Sequence, residues 1–315
     1  MNIVFLAPKF FPSIGGVEKH ALEVGVRVRN KGNTVTVITQ RHSKNLKLQE
    51  KIKGIEVVRF DSPKIKYLGL LTIWAYMWKN KKVFLDAEIV HIHDVFIWYL
   101  PLAVFFPKKK FYITHHGWEG KWPIPKKNIF YKRLANRLSS GNIAVGKYIE
   151  KYYGIKTDKI IYGGVDVVAD KSVDRKKGIL YVGRLEEDTG LPLVLSELQK
   201  KSETIGQENM KFVGDGKMRD ECRKYGKVHG FVDATHFLQK AKVVYTGGYL
   251  TAMEAMVAGC EVRVVWDNDL KKDYWTLAPF YKFIKNKDTN GGYEWVKKQT
   301  WEKVAEVYIN LWQGK

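Results

Sequence analysis

The sequence predicts an α/β protein built of two βαβ domains in tandem, and three observations predict it. Short runs rich in Val, Ile and aromatic residues alternate with stretches whose apolar residues recur at helical spacing, the pattern of a parallel sheet with crossover helices. That pattern stops at a charged, apolar-poor segment, Ala169 to Lys177, and restarts at Gly178. Glycines follow the ends of several strands, at Gly15-Gly16, Gly163-Gly164, Gly183, Gly214 and Gly247-Gly248, where such sheets place their ligands. With 315 residues, 45% of them hydrophobic, the chain is long enough for two buried cores.

Asn2 to Ala7 reads as the first strand. Val17, Ala21, Val24 and Val28 recur at helical spacing, so a helix starts at Gly15-Gly16, and Gly32-Asn33 ends it. Thr34 to Thr39 and Ile55 to Phe60 are further strands. Lys64 to Lys82 carries Trp74, Tyr76 and Trp78 between lysines. It reads either as an interfacial helix with rings at headgroup depth or as a core helix with a basic end. Ile89 to Asp94 is a strand, Phe96 to Phe106 a buried helix, and Phe111 to Thr114 a strand delivering His115, His116 and Gly117 to the same sheet edge. Trp118 to Lys127 is an aromatic and basic loop. A helix from about Asn128 to Leu138, the strand Asn142 to Val145 and a helix around Tyr148 complete the first domain.

After the strand and turn Ile160 to Asp166 and the linker, the second domain opens with Gly178 to Leu185 and a helix from Gly190 to Lys201. Lys211 to Val213, Lys242 to Tyr245 and Glu261 to Val265 are its other strands. Trp295 to Trp312 forms a last amphipathic helix, expected to pack across the domain junction. The expected division is 1–168, 169–290 and a C-terminal helix in 291–315.

The net charge is +21. Residues 1–165 carry 29 Lys and Arg against 11 Asp and Glu, so the first half faces an anionic partner: nucleic acid, lipid headgroups or a phosphorylated substrate. The most apolar stretch, Phe96 to Phe106, is about half a membrane span and holds Pro101. The opening strand runs straight into a glycine loop, unlike a secretion leader. Cys222 and Cys260 are the two cysteines, so a reducing, cytoplasmic setting without structural disulfides is expected.

Several residues have side chains or backbones suited to chemistry. Gly15 and Gly16 let backbone amides approach an anion, although a Gly-Gly pair also serves as an ordinary turn. His91, His93, His115 and His116 lie at two neighbouring strand ends. No carboxylate or cysteine stands at ligand spacing beside them, so zinc is not expected, and one donates to a substrate while others are structural. Arg184, just past a strand end, offers a planar cation to a diphosphate, although exposed arginines are common on any protein surface. Gly214-Asp215-Gly216 is a tight turn. Gly247, Gly248 and Tyr249 lead into a small-residue helix whose N-terminus favours phosphate. Glu254 inside that helix needs a partner, and a ribose diol, a cap or a salt bridge would each satisfy it.

In chain order, Gly15-Gly16-Val17-Glu18, Thr114-His115-His116-Gly117, Gly163-Gly164-Val165-Asp166, Gly183-Arg184-Leu185, Gly214-Asp215-Gly216 and Glu254-Ala255-Met256-Val257-Ala258-Gly259 resemble the motifs of family 4 of the retaining glycosyltransferases of the GT-B fold, from the first strand to about Trp266. The resemblance implies a GT-B fold, two Rossmann-like βαβ domains facing a central cleft, the first binding an acceptor and the second a nucleotide-sugar. It implies that Glu254 holds the ribose, that Gly247, Gly248 and the amide of Tyr249 hold the phosphates, and that Arg184 stabilises the leaving diphosphate. Gly16, with Gly15 beside it, approaches the diphosphate, and His116 hydrogen-bonds the transferred sugar. Gly183, Thr189 and Thr246 line the same donor site, and neither a metal nor an organic cofactor is implied. Three positions depart from the family pattern: Thr246 replaces a sugar-binding acid, Thr189 a lysine that assists Arg184, and Gly163 an asparagine.

The expected activity is therefore retaining, metal-independent hexosyl transfer from a nucleotide diphosphate sugar to a glycan or lipid-linked, phosphorylated acceptor. Such an acceptor belongs to glycolipid or polysaccharide synthesis, with peripheral contact to an anionic membrane from the cytoplasmic side. The threonine substitutions motivate a catalytically silent nucleotide-sugar-binding homologue as an alternative, and an epimerase could use the same architecture. Nucleic acid is not an expected partner, since no recognition module accompanies the charge.

Overall fold

The computed structural model describes residues 1–63, 68–117, 120–167, 177–201 and 210–315. The expected linker 169–177, apart from Lys177, lies outside the described residues, as do Trp118 and Glu119 of the aromatic loop and 64–67 of the basic segment. The chain forms two compact units. One comprises Met1–Glu119, Pro123–Ile161 and Trp301–Lys315; the other comprises Gly120–Trp122 and Tyr162–Thr300.

In the first unit β1 (Asn2–Ala7), α1 (Gly16–Asn30), β2 (Thr34–Gln40), β3 (Gln49–Ile52), β4 (Ile55–Phe60), α2 (Leu68–Lys79), α3 (Lys81–Asp86) and β5 (Ile89–His93) follow one another. Then come α4 (Phe96–Phe105), β6 (Phe111–His115), α5 (Lys126–Leu138), β7 (Gly141–Val145), α6 (Tyr148–Tyr153) and β8 (Lys159–Ile161). The sheet order is β3-β4-β2-β1-β5-β6-β7-β8, parallel except for β3, which pairs antiparallel with β4. Alternation along the strands sorts residues onto two faces. Val4, Leu6, Val90, Ile92 and Ile113 pack with Ile73 and Met77 of α2, Phe84 of α3, Phe96, Tyr99 and Leu102 of α4 and Ala135 of α5 in an apolar core. The register puts Phe5, His91, His93, Tyr112 and Thr114 on the opposite face.

The second unit contains β9 (Ile179–Val182), α7 (Leu191–Lys201), β10 (Met210–Val213), α8 (Arg219–Cys222), β11 (Lys227–Val228), α9 (Thr235–Lys240) and β12 (Val243–Thr246). It continues through α10 (Tyr249–Val257), β13 (Glu261–Arg263), α11 (Asp269–Thr276), α12 (Tyr281–Lys285) and α13 (Thr289–Val296). Its sheet is parallel, in the order β11-β10-β9-β12-β13. The last helix, α14 (Trp301–Trp312), packs in the first unit against α1 and β7.

Two sequence expectations need correction, and one of two open readings is supported. The run Trp295 to Trp312 is two helices rather than one. Val165 N–H donates to Gln299 O at 2.9 Å and Val165 bridges Thr300, so the chain between α13 and α14 is held extended. The helix Phe96 to Phe106 is not buried throughout: Val104 is 59% and Phe105 67% exposed, with Phe105 resting edge-on against Trp78 at 5.2 Å. The basic aromatic segment is a core helix on its inner side. There Ile73 and Met77 are buried, Trp74 Nε1 donates to Ile97 O at 2.7 Å and Tyr76 stacks on Phe60, while Leu68, Leu71 and Trp78 stay exposed.

Candidate functional site

In the first unit the candidate residues gather at the C-terminal edge of β5 and β6. His93 Nδ1 lies 2.9 Å from His116 Nε2, and the two rings are 5.1 Å apart. His20, one turn inside α1 and overlooked in the sequence, meets His116 edge-on at 4.8 Å, which ties the Gly15-Gly16 end of α1 to the same edge. Asp94 adopts a left-handed backbone (φ 62), a conformation aspartate tolerates. Its carboxylate accepts from His116 N–H at 3.0 Å and from Lys132 Nζ at 3.0 Å. Asp94, Lys132 and His20 could be found only from tertiary structure, because they reach His116 from three different elements.

Behind this edge runs a polar chain. His91 Nε2 is 2.7 Å from Thr114 Oγ1, which is 2.7 Å from Tyr308 Oη, and that hydroxyl is 2.9 Å from His20 Nε2. Trp312 Nε1 donates to His91 Nδ1 at 2.9 Å. His91 is thus structural, the role expected for some of the four histidines. Burial lowers all five histidines of this region. His20 and His115 fall to about 3, and His91, His93 and His116 fall well below the usual value, with neighbouring His, and Lys132 at His115 and His116, pushing the same way. All five are neutral at pH 7, so His116 can offer hydrogen bonds but not positive charge. Among the described residues no group of three or more His, Cys, Asp or Glu is placed to hold a metal ion.

At the start of α1, Gly15 is the N-cap in extended conformation. A Cβ there would strike the Glu18 carboxylate, whereas Gly16 has open space. Ser13 Oγ donates to Glu18 Oε1 at 3.4 Å.

In the second unit two glycine loops lock together after β9 and β10. Gly183 N–H donates to Val213 O at 3.0 Å and Leu185 N–H to Asp215 O at 2.9 Å. Any Cβ on Gly214 would collide with Gly183 O, and one on Gly216 with Leu185 O; both glycines also have positive φ (145 and 157). The Gly-Asp-Gly turn is thus the seat of the Gly183-Arg184 loop. Arg184 projects outward, 60% exposed, and pairs with Asp188 Oδ2 at 2.7 Å. Thr189 lies below it, with its hydroxyl accepting from Tyr181 Oη at 2.9 Å and donating to Glu186 O at 2.6 Å.

Thr246 ends β12 beside Val182 and is 5% exposed. Its Oγ1 accepts from Gly248 N–H at 3.2 Å, so it closes the turn into α10. Gly247 faces the backbone of Thr189, with a Cβ position 3.0 Å from Thr189 O, and Gly248 caps α10 with open space beside it. Tyr249 N–H, at the first helical position, donates to Tyr274 Oη at 2.9 Å, and the two rings stack at 3.8 Å. Glu254 is half-buried in the second turn of α10. Gly183, Arg184, Thr189, Thr246, Gly247, Gly248 and Tyr249 therefore converge on one sheet edge. Gly163 has a positive φ of +106, and a Cβ there would meet the Leu250 side chain of α10, so an asparagine at this position would be strained and would have to displace that side chain.

Solved structures share this architecture along the whole chain. Sucrose-phosphate synthase from Thermosynechococcus elongatus aligns over 100% of both chains at a TM-score of 0.71 and 15% identity. A glycosyltransferase from Rickettsia africae ESF-5 aligns over 99% of this chain and 98% of its own, with a TM-score of 0.67 and 16% identity. A protein described as a UDP-N-acetylglucosamine 2-epimerase from Listeria monocytogenes aligns over 98% and 94%, with a TM-score of 0.58 and 15% identity. No curated protein matches at the sequence level. The fold is that of the GT-B glycosyltransferases. Residues 14–168, just under half of the chain, match the sequence model of Glycosyltransferase Family 4.

Proposed function

We propose that the protein transfers a hexosyl group from a nucleoside diphosphate sugar to an acceptor hydroxyl, with retention of configuration and without a metal ion. The observation that carries this reading is the convergence of Arg184, the Gly247-Gly248 turn and the N-terminus of α10 at one edge of the second sheet. In the reaction the sugar C1–O bond breaks, its electron pair passes to the diphosphate oxygen, and the acceptor oxygen bonds C1 as its proton leaves to the diphosphate. Arg184 and the α10 dipole act on the charge that develops on that oxygen. Glu254 takes the ribose hydroxyls, Gly15 and Gly16 border the diphosphate, and neutral His116, fixed by His93 and Asp94, hydrogen-bonds the sugar.

The acceptor in this reading is lipid-linked or phosphorylated and is met at an anionic membrane surface, reached from the cytoplasm. Supporting it are the basic first half of the chain and an exposed patch in which Trp78 and Phe105 touch while Lys81 Nζ lies 4.5 Å over the Trp78 ring. Among the described residues no helix is long and apolar enough to cross a membrane.

The test begins with a thermal-shift panel of nucleotide-sugars and continues with product analysis of those that bind. Release of nucleoside diphosphate coupled to glycosylated acceptor supports transfer. An isomerised nucleotide-sugar would establish instead the epimerase reading, which the Listeria similarity favours. Binding without turnover, with Thr189 and Thr246 in place of charged side chains, would mark a silent homologue. Glu254→Ala is expected to weaken donor binding roughly ten- to a hundred-fold, the worth of a hydrogen bond to a charged group.

A further inference from the structure

A buried lysine lies close to the start of α10. Thr189 stands where a lysine is expected, and its hydroxyl is used by the turn itself. Lys271, in the first turn of α11, is only 9% exposed. Its Nζ lies 5.4 Å from the ring of Tyr274, whose hydroxyl accepts from the first N–H of α10 at 2.9 Å. Thr189, in turn, backs onto Gly247, just ahead of that helix start. The turn after β9, the start of α10 and the start of α11 thus meet around one point.

Ionisable groups facing Lys271 include Asp188 and Arg184 from the turn after β9, Asp267 just ahead of α11, and the phenol of Tyr274. Burial holds the ammonium below the ordinary lysine value. Asp188 pulls it back up, Arg184 pushes it further down, and Asp267 raises it. A desolvated ammonium attracts an arriving anion far more strongly than one in water.

We propose that Lys271 is the second diphosphate-binding cation of this protein, supplied from α11 in place of the side chain that position 189 lacks. The inference rests on the nucleotide-sugar reading above. A diphosphate that reaches Arg184 competes with Asp188 for the guanidinium and meets Lys271 beside the α10 N-terminus, so two cations and a helix dipole share its charge.

Calorimetry on the full chain with ADP, UDP, GDP and inorganic pyrophosphate, from pH 7.5 to 10, tests this with Lys271→Met and Lys271→Arg. Lys271→Met should weaken binding roughly ten- to a hundred-fold. Affinity of the unsubstituted protein should fall as pH rises through the depressed lysine value, whereas Lys271→Arg should stay tight and lack that loss. If Lys271→Met fails to melt cooperatively, the pH profile of Lys271→Arg decides alone. Tight binding by Lys271→Met, or a Lys271→Arg profile identical to that of the unsubstituted protein, overturns the role of Lys271 and leaves the nucleotide-sugar reading standing. A folded, unsubstituted protein that binds none of the four probes overturns both.

Discussion

Two glycine-led helices open at sheet edges in this protein, and their N-termini are electrically unlike. At α1 the first-turn acid Glu18 folds back over Gly15 and is engaged by Ser13, so the positive end of the helix is answered from within. At α10 no acid occupies the first turn; a neutral phenol, Tyr274, caps it, and Arg184 and Lys271 lie nearby. A shared Gly-Gly motif therefore does not confer a shared function. What distinguishes the ends is whether the local chain has already neutralised the dipole, and by that measure α10 is the stronger anion site.

The largest expected effect tests that contrast directly. Arg184→Ala should lower turnover of the donor by roughly a hundred- to a thousand-fold in kcat/KM, the scale of losing one preorganised group at a developing charge. An equal loss from changes at α1, with Arg184→Ala silent, would invert the assignment.

Acid should separate the two units next. The five buried histidines near α1 have folded-state values below the unfolded value of about 6.5, so between that pH and about 3 the unfolded chain binds more protons. The stability they contribute is complete above about 6.5 and is lost as pH falls, by up to about 1.4 kcal/mol per pH unit for each histidine. Melting followed by hydrogen exchange from pH 7 to 5 should show the first unit opening before the second.

Tyr274→Phe comes third. Removing the hydroxyl that accepts from Tyr249 N–H should cost about 1 kcal/mol of stability, visible as a lower Tm. Smallest is Glu18→Gln. It should destabilise α1 by about 0.3–1 kcal/mol while leaving donor affinity within a few-fold, the outcome expected when the α10 end carries the phosphates as proposed.

Much of this was legible in the sequence. Strand cores such as Ile89 to His93 and Val243 to Thr246 announce themselves by composition, and the glycines after them mark the sheet edges. The antiparallel β3, reading Gln-Glu-Lys-Ile, has no apolar alternation to betray it, and α3 is a single short helix. The site residues that escaped notice share a different cause. Lys271, Tyr274 and Asp94 act through neighbours many positions away, and in the linear chain Lys271 is one member of a Lys-Lys pair whose companion, Lys272, is exposed. Thr189 and Thr246 were visible as departures, but only the fold shows that both hydroxyls are spent on backbone turns.

The placement of α14 bears on how the protein is made. Trp301, Tyr308 and Trp312 cover the histidine-bearing face of the first sheet, yet they are synthesised only after the whole Tyr162–Thr300 stretch of the second unit. A ribosome adding roughly 5–20 residues per second finishes the second unit's stretch before the first unit receives its final helix. The nascent first unit therefore waits with a polar, aromatic face uncovered, and the order in which the two units are completed is the reverse of the order in which they are begun.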